Sequence, residues 1–314
     1  MQIVEDIAGL SRISGPVCLA IGVFDGLHRG HQAVIGEAVA VAEEVSGTAV
    51  VVTFDPHPRS VLSSKEAPRL LTSTAHKLVL MSAIGVSQVL LIRFDKVFSQ
   101  LSGQEFICQL SEACEDLVHI SVGKDWVFGK QRSGDLDLLK ELGGELGFKA
   151  EGVIPVCEGD AMISSTAIRQ AIQLGDFAAA KILLGRDYTV LGTVVKGNQL
   201  GRTIGYPTAN LSVHNEQLPP SGVYAVLATR DAGRGSKHVA LANLGYRPTV
   251  EGDQGRRLLE VFLLDFDEEI YGEDLEVTFV KLIREEKKFA GLGELKAQIA
   301  IDEEQVRQLE FGEI

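Results

Sequence analysis

Hydrophobic positions in the first part of the chain form short apolar runs that alternate with stretches of helical spacing. Runs rich in β-branched residues, such as Thr48–Phe54, predict strands buried on both faces, as in a parallel sheet. The predicted strands are one beginning at Leu19 and four more at Thr48–Phe54, Gln88–Phe94, Leu117–Val122 and Lys149–Val156. The predicted helices are Gln32–Glu44, Thr74–Ile84, Ser102–Cys114 and Asp135–Leu146. This alternation predicts a doubly wound, Rossmann-like α/β domain, in which ligands bind beyond the carboxyl ends of the strands.

The pattern changes after a break at Leu184–Tyr188. Beyond it, short strands separated by turns rich in glycine and aspartate predict a mainly antiparallel β-barrel. The predicted strands are Thr189–Val195, Gly222–Thr229, Val239–Asn243, Arg257–Phe266 and Asp274–Leu282, with turns between Asn210 and Pro220. One helix, at about Gly293–Phe311, closes the chain. We therefore expect two domains, residues 1–184 and residues 185–314.

The segment Leu19–His31 joins a predicted strand to a predicted helix. Its sequence, Leu-Ala-Ile-Gly-Val-Phe-Asp-Gly-Leu-His-Arg-Gly-His, places His28 and His31 in the first helical turn. Residues three apart lie on one face of a helix, and the N–H groups at its amino end have no partner within it. Because such an end binds phosphate readily, this turn is a predicted cradle for a polyphosphate. Asp55 and Asp125 also follow predicted strands and are expected on the same rim.

Composition narrows the classes of partner. The 314 residues carry a formal charge of −13, and 45% of them are hydrophobic, which is typical of a globular protein. Residues 1–184 contain 15 Lys and Arg against 22 Asp and Glu, and residues 185–314 contain 15 against 21. Because neither half is basic, we expect no nucleic-acid partner and no membrane partner. Glu5 and Asp6 stand where a signal peptide would carry lysine, and the four cysteines show no metal or redox spacing, so we expect a cytoplasmic protein with free thiols.

The segment Ile163–Arg169, Ile-Ser-Ser-Thr-Ala-Ile-Arg, opens a further predicted helix that runs to Leu184. A cluster of serine and threonine at the start of a helix is most often an N-cap. Together with Arg169, the same hydroxyls and amides would also suit the phosphates of a nucleotide. Both interpretations stay open on the residues alone.

Longer motifs resemble one enzyme family. Five segments of the first half resemble the FMN adenylyltransferase module of prokaryotic bifunctional FAD synthetases. They are Gly22–His31, Thr53–Pro58, Val122–Gly129, Arg132–Asp135 and Ser164–Arg169. Seven segments of the second half resemble the partner module of that family, riboflavin kinase. They are Gly192–Gly197, Gly201–Leu211, Gly222–Tyr224, Asn243–Thr249, Leu259–Phe266, Tyr271–Gly272 and Arg284–Phe289. The resemblance covers nearly the whole chain, with the motifs in matching order. It implies ATP-dependent phosphorylation of riboflavin to FMN, followed by adenylyl transfer from ATP to FMN, which gives FAD and pyrophosphate.

For the first module, the resemblance implies a triphosphate site and a flavin site. The implied ATP-binding residues are Gly22, Val23, Phe24, His28, His31, Ser165, Thr166 and Arg169. The two histidines are the catalytic residues among them, because they would steady charge at the α-phosphorus and on the leaving pyrophosphate. The implied FMN-binding residues are Asp55, His57, Asp125, Trp126 and Phe128. Core packing explains the two aromatic residues equally well, and His57 between two prolines could instead close a loop.

One position departs from the family pattern. The family often has a basic residue two positions before the first serine of Ser-Ser-Thr, and this chain has Met162 there. The loss of one cation shifts more of the triphosphate charge onto the two histidines and Arg169, or onto another base such as Lys124.

For the second module, the resemblance implies a general base and Mg²⁺. Glu260 matches the family's catalytic carboxylate, which takes the proton from the 5′-hydroxyl of riboflavin. Thr208 and Asn210 match the metal-binding positions, and their neutral oxygens suit Mg²⁺ that keeps several waters. The other residues implied in binding ATP or flavin are Gly197, Gly201, Arg202, Gly205, Pro207 and Arg284. The alternative for Glu260 is a solvated strand residue, but the residues beside it are apolar, so a carboxylate there calls for a partner.

Two other functions stay open. In the first, the first half transfers a nucleotidyl group to a different acceptor, such as pantetheine phosphate, nicotinamide mononucleotide or a cytidylyl-type substrate, but this leaves the barrel unexplained. In the second, both domains only bind flavin or ATP as a sensor, but binding alone needs no base at Glu260. Under the enzymatic reading we expect riboflavin, FMN and ATP as small-molecule partners and a monomer or weak oligomer. The histidines outside the motifs, His76, His119, His214 and His238, are predicted to be surface or packing residues.

Overall fold

A computed structural model describes residues 1–63, 67–197, 200–214, 217–246 and 257–311. The chain divides into two compact units. The first comprises Met1–Arg69 and Lys77–Ser165, and the second comprises Leu70–His76 and Thr166–Ile314. The last part of the Asn243–Thr249 motif, residues 247–249, lies outside the described residues. Within the described ranges, no helix is long and apolar enough to cross a membrane.

The first unit is built on a six-stranded parallel sheet. Its strands are β1 (Gln2–Val4), β2 (Pro16–Ile21), β3 (Thr48–Asp55), β4 (Gln88–Arg93), β5 (Asp116–Gly123) and β6 (Lys149–Val153), in the spatial order β1-β4-β3-β2-β5-β6. The helices in this part of the chain are α1 (Arg29–Glu44), α2 (Pro58–Leu62), α3 (Thr74–Ala83), α4 (Gly103–Ala113) and α5 (Leu136–Leu146). A short hairpin of β7 (Cys157–Glu158) and β8 (Ala161–Met162) follows. The predicted α/β domain is confirmed.

The central strand β2 is the switch point of this sheet. From β2 the chain moves to β3 on one side, and it later places β5 on the other side. Residues of β2 enter cores on both faces, with Leu19 and Ile21 in one and Cys18 and Ala20 in the other, so the strand is an unbroken apolar run. Because the strands are parallel, β2, β3 and β5 end at the same edge, where ligand crevices form in folds of this class. The predicted rim of strand-end residues is thus confirmed.

The second unit contains a closed antiparallel barrel. Its strands are β9 (Thr189–Val195), β10 (Ala209–Val213), β11 (Gly222–Thr229), β12 (Lys237–Tyr246), β13 (Arg257–Leu263) and β14 (Asp274–Arg284), in the closed order β10-β13-β12-β11-β14-β9. The helices here are α6 (Ser165–Leu174), α7 (Phe177–Leu184), α8 (Leu200–Thr203), α9 (Arg230–Gly233) and α10 (Leu292–Arg307). The predicted barrel and its closing helix are confirmed.

Some element boundaries differ from the sequence predictions. The single helix predicted up to Leu184 is two helices, because Gly175 adopts a left-handed φ of +71° between them. Asp176 then caps α7 by accepting a hydrogen bond from the Ala179 N–H at 2.9 Å. The strand β10 was predicted to be mostly turns, yet its five residues pair with both β9 and β13 and close the barrel.

A buried polar cluster lies against β9 and β14. The Nε2 atom of His76 lies 2.9 Å from Glu276 Oε1 and 3.1 Å from Thr189 Oγ1, and the Thr189 hydroxyl donates to the same carboxylate oxygen at 2.9 Å. His76 is fully buried, so it is a packed residue, as predicted, but it also forms part of a hydrogen-bonded network. Burial opposes ionisation of Glu276, but the bonds from His76 and Thr189 outweigh it and hold the glutamate pKa below its usual value.

Replacing Glu276 with glutamine should lower the free energy of unfolding of the second unit by about 2 kcal/mol at neutral pH, because a buried, charge-assisted network loses its carboxylate. The folded-state pKa of Glu276 lies below the usual 4.5. Its contribution is therefore complete above that value and is lost as the pH falls through the folded-state pKa. Urea unfolding of the two proteins should show a difference at neutral pH that shrinks in the most acidic buffer in which both fold. Equal stability at neutral pH would contradict this account.

Candidate active sites

The turn between β2 and α1 has a strained backbone. Phe24 and Leu27 adopt φ values of +53° and +42°, which are uncommon for residues that carry a Cβ. Gly22 is confined as well, since a Cβ there would lie 2.8 Å from the Phe24 ring. Conformations of this kind persist only where the surrounding structure fixes them. The turn is therefore set by its own packing, with the Phe24 ring buried inside it.

The two predicted histidines lie side by side at the start of α1. Their rings stack with centroids 3.5 Å apart and planes 18° apart. His28 is the N-cap of α1, and its Nδ1 accepts a hydrogen bond from the His31 backbone N–H at 3.3 Å. The structure thus brings the predicted pair together, and His28 itself occupies one of the amides that were expected to face a phosphate.

His31 is a neutral imidazole at the centre of this turn. Burial, followed by the nearby His28 and the Lys77 ammonium, holds the pKa of His31 well below its usual value. Its ring meets Phe24 edge to face, with 5.4 Å between centroids. Among the described residues, its buried Nδ1 atom has no hydrogen-bond partner. His31 therefore offers directed hydrogen bonding, and not positive charge, at neutral pH.

Lys77 reaches the same turn from α3, although it belongs to none of the motifs in the sequence. Its Nζ atom donates to Thr53 Oγ1 at 2.9 Å and to the Val23 carbonyl at 3.1 Å, and the residue is 5% exposed. Burial lowers its pKa from 10.5 to about 8, although the Asp25 and Asp55 carboxylates favour the charged form. A signal was present in the sequence, because Lys77 is the one charged residue within α3.

The serine that opens α6 contacts the same turn. Ser165 Oγ donates a hydrogen bond to the Asp25 carbonyl at 3.0 Å, a link that neither the cap interpretation nor the phosphate interpretation predicted. Thr166 and Arg169 follow on α6, in the second unit. Met162, the departure from the family pattern, is 53% exposed on β8.

The residues predicted for the flavin side differ in their surroundings. Asp55 ends β3, and His57 caps the short helix α2, so His57 does close a loop. Asp125 is exposed just beyond β5. Trp126 and Phe128 stack with centroids 4.2 Å apart, and Phe128 belongs to the core while Trp126 is half-buried. Packing therefore accounts for Phe128, and a flavin contact for Trp126 remains a prediction.

A cavity of about 480 Å³ lies on the outer face of the barrel in the second unit. It is bounded by β10, β12 and β13 on one side and by α10 on the other, and apolar residues such as Leu241, Phe262 and Ile299 line much of it. Glu260 is half-buried in this wall. A polar base inside a mostly apolar pocket is the usual composition of a small-molecule site.

The alternation of β13 explains the position of Glu260. Leu259 and Val261 are buried in the barrel core, so Leu258, Glu260 and Phe262 line the outer cavity. The apolar residues beside Glu260 in the sequence thus belong to two different surfaces. Across the sheet, the residues that pair with Glu260 are Asn210 on β10 and Asn243 on β12.

The predicted loop glycines are required by the packing of the loop itself. A Cβ at Gly197 would overlap the Asn210 side-chain amide, and one at Gly201 would overlap the Tyr206 carbonyl. Gly205 has a φ of +88°, which favours glycine. Close approach of this backbone to a phosphate remains a prediction.

Thr208 and Asn210 line the cavity together with Glu260. Neutral oxygens beside a carboxylate fit Mg²⁺, which takes only one or two protein ligands when substrate phosphates and water complete its shell. The part of the chain that the structure describes contains no group of three His, Cys, Asp or Glu side chains that could hold a metal ion by itself. Of the other predicted residues, Arg202 pairs with Glu269 at 3.3 Å, and Pro207 is exposed.

Arg284 is held by a carboxylate of α10. Its Nε lies 2.9 Å from Asp302 Oδ2, a second guanidinium nitrogen lies 2.9 Å from the same oxygen, and Asp302 is 1% exposed. The guanidinium also lies over the Phe289 ring. This buried pair joins β14 to α10, so Arg284 shapes the cavity wall, and its direct contact with a substrate stays a prediction.

Comparisons with known proteins identify the enzyme family of this chain. The FAD synthetase family model matches residues 11–167, and the riboflavin kinase family model matches residues 184–310. The bifunctional riboflavin kinase/FMN adenylyltransferase of Escherichia coli (strain K12) is 41% identical over 314 residues, covering 99% of this chain and 98% of that protein. The chain belongs to this family. The Bacillus subtilis (strain 168) protein of the same name is 38% identical over 291 residues, covering 91% of this chain and 90% of that protein.

A solved structure shares the fold of this bifunctional family member over nearly its whole length. It is described as a macrolide-efflux protein from Streptococcus pneumoniae, and it is 31% identical with a TM-score of 0.80. The match covers 98% of this chain and 99% of that one.

We expect the His31 imidazole to remain neutral well below pH 6.5, because burial and the nearby His28 and Lys77 disfavour its protonation. Long-range ¹H–¹⁵N correlation spectra of the imidazole nitrogens across a pH series would measure this directly. A His31→Gln variant assigns the resonance. A protonation midpoint at the usual histidine value would contradict the buried, neutral state.

Proposed function

We propose that this chain makes FAD from riboflavin in two steps that use separate sites. The second unit phosphorylates riboflavin to FMN, and the site at the β2–α1 turn transfers an adenylyl group from ATP to FMN. The observation that carries this proposal is the presence in one chain of a stacked histidine pair at a sheet switch point and a carboxylate in a barrel cavity. Neither a different adenylyl acceptor nor a flavin sensor accounts for both features.

In the kinase step, Glu260 takes the proton from the riboflavin 5′-hydroxyl as that oxygen attacks the γ-phosphorus of ATP, and ADP leaves. Asn210 and Asn243 are its cross-strand neighbours and line the same cavity. Thr208 and Asn210 would hold Mg²⁺, which neutralises phosphate charge when bound. Gly197, Gly201, Gly205, Arg202, Pro207 and Arg284 would form the surrounding ATP and flavin contacts.

In the adenylylation step, a phosphate oxygen of FMN attacks the α-phosphorus of ATP, the bond to the bridging oxygen breaks, and pyrophosphate leaves. The step needs positioning and charge stabilisation, and it needs no covalent enzyme intermediate. His28 and His31 would hydrogen-bond the reacting phosphates, beside the backbone of Gly22–Phe24. Ser165, Thr166 and Arg169 would hold the outer phosphates, and Asp55, His57, Asp125, Trp126 and Phe128 the flavin side.

We also propose that the functional division falls at residues 1–184 and 185–314. The interval between the two family matches, residues 168–183, contains most of α6 and all but the last residue of α7. Arg169 on α6 is assigned to adenylyl transfer, so α6 would serve the first activity. The protein would act in the cytoplasm as a monomer or weak oligomer, without a nucleic-acid or membrane partner.

Glu260→Gln should reduce FMN formation by about 10²- to 10⁴-fold, because the step loses its base. FMN adenylylation should persist in this variant. Purified protein is incubated with riboflavin, ATP and Mg²⁺, or with FMN, ATP and Mg²⁺, and the flavins are separated by chromatography. Glu286→Gln removes another carboxylate from the same cavity and serves as the matched control, which should keep most of the kinase activity.

His31→Ala should have the opposite effect. FMN should accumulate from riboflavin while FAD formation falls by about 10²- to 10³-fold, the usual loss on removing one preorganised donor. If either variant lost both activities while remaining folded, the two sites would not be separable. If the unaltered protein turned over neither riboflavin nor FMN, the proposal as a whole would fail.

Asn210→Ala should raise the Mg²⁺ concentration for half-maximal FMN formation by about tenfold, as expected for the loss of about 1.4 kcal/mol of metal binding. The Mg²⁺ dependence of FMN adenylylation should not change. Asn243→Ala alters the other neighbour of Glu260 and is the control, because it is not a proposed metal ligand. An unchanged Mg²⁺ requirement in Asn210→Ala would remove Asn210 from the metal site.

A further inference from the structure

The Lys77 ammonium is buried at the carboxyl edge of the parallel sheet. It contacts three oxygens, Thr53 Oγ1 at 2.9 Å, the Val23 carbonyl at 3.1 Å and the Phe54 carbonyl at 3.5 Å. An ammonium has three N–H donors and no acceptor, so these oxygens use its whole donor capacity. Lys77 is therefore linked to the ends of both β2 and β3, and no N–H group is left for a phosphate.

The carbonyl of Val23 is the centre of this arrangement. It accepts hydrogen bonds from both the Thr53 hydroxyl, at 3.1 Å, and the Lys77 ammonium. The next residue, Phe24, has the left-handed φ of +53°, and its ring meets His31 edge to face. Fixing the Val23 carbonyl therefore fixes the start of the turn whose far end carries the catalytic histidines.

Burial of a lysine is costly, and here an apolar side chain of similar length would fill the same space. The pKa of Lys77 falls to about 8 because burial disfavours the charge, and the Asp25 and Asp55 carboxylates support the charge that remains. A nearly buried ammonium whose hydrogen bonds go to the turn and to β3 is placed to act on the turn.

We propose that Lys77 is a positioning residue for adenylyl transfer, which holds the carboxyl ends of β2 and β3 together and so fixes Phe24 and His31 in their reactive arrangement. The inference rests on the proposed adenylyltransferase function of this site. Lys77 acts through Val23 and Thr53, and it does not bind the triphosphate.

Lys77→Met, which keeps the length of the side chain but removes its charge and donors, should lower the kcat of FMN adenylylation by about 10²-fold. A small displacement of a reacting group costs about this much. The KM for ATP should change little, because the lost interaction orients the transition state and does not bind the ground state. Riboflavin phosphorylation by the same molecules is the internal control and should be unchanged. Lys140→Met, at an exposed position on α5, is the matched surface control.

A second pair of variants tests the same link should Lys77→Met fold poorly. Thr53→Val removes the hydroxyl that accepts from Lys77 and donates to Val23, whereas Thr53→Ser retains it. Thr53→Val should lose adenylylation, and Thr53→Ser should restore it. The double variant Lys77→Met/Thr53→Val should lose much less than the product of the two single losses, because both act on one carbonyl.

The imidazole spectrum of His31 checks that Lys77→Met removes a charge close to that ring, while the split between kcat and the KM for ATP is the readout that a purely structural role would not produce. Removal of the Lys77 charge should raise the pKa of His31, because that charge is one of the causes that lower it. A rise in the KM for ATP with kcat unchanged would make Lys77 a phosphate ligand and overturn the proposal. Full adenylylation in folded Lys77→Met and Thr53→Val would also overturn it. Failure of the adenylyltransferase assignment is distinguishable, because the unaltered protein would then lack this activity.

Discussion

The hydrogen bonds to the Val23 carbonyl hold the start of the turn that carries His28 and His31 at the sheet edge of the first unit. β2 is the switch point of the sheet, and the chain must leave it through a residue with positive φ before α1 begins. The Thr53 hydroxyl and the Lys77 ammonium hold the carbonyl from which this turn departs. The cap at His28 and the stack with His31 lie at the far end of the same turn. The two histidines therefore owe their geometry to the end of β2 as much as to α1.

In the barrel, the Glu260 carboxylate lies in a mostly apolar cavity wall. Strand alternation sends the neighbours of Glu260 into the barrel core and leaves the carboxylate on the outer face, between two asparagines. The opposite wall is α10, which is attached to β14 through the buried pair of Arg284 and Asp302. Removing one member of such a pair leaves an uncompensated buried charge. The shape of the cavity thus depends on the ion pair between Arg284 and Asp302.

The sequence predicts those features whose causes are local. Apolar runs and their spacing predict most of the strands and helices, and the His28–His31 spacing predicts a common face at a strand-to-helix turn. Sequence-based prediction fails where contacts between residues far apart in the chain determine the structure. β10 follows a proline and is too short to show clear alternation, so only its pairing with β9 and β13 reveals it. Lys77 is the one charged residue within α3, but only the fold shows that it turns inward. The link from Ser165 to Asp25 spans 140 residues.

Phosphate binding in a chain of net charge −13 must rely on a few local groups. Met162 stands where the family often has a basic residue, so more of the triphosphate charge would have to be balanced by the other binding residues. Burial and the nearby His28 and Lys77 hold the pKa of His31 well below its usual value, so His31 would not supply a positive charge. Lys77 is charged, yet its donors are committed to Thr53, Val23 and Phe54. Under the proposed assignment, compensation of the triphosphate charge would fall to Arg169 and to a metal ion bound with ATP. Under the same assignment, the histidine turn would orient the reacting phosphates through hydrogen bonds, and groups outside the turn would compensate their charge.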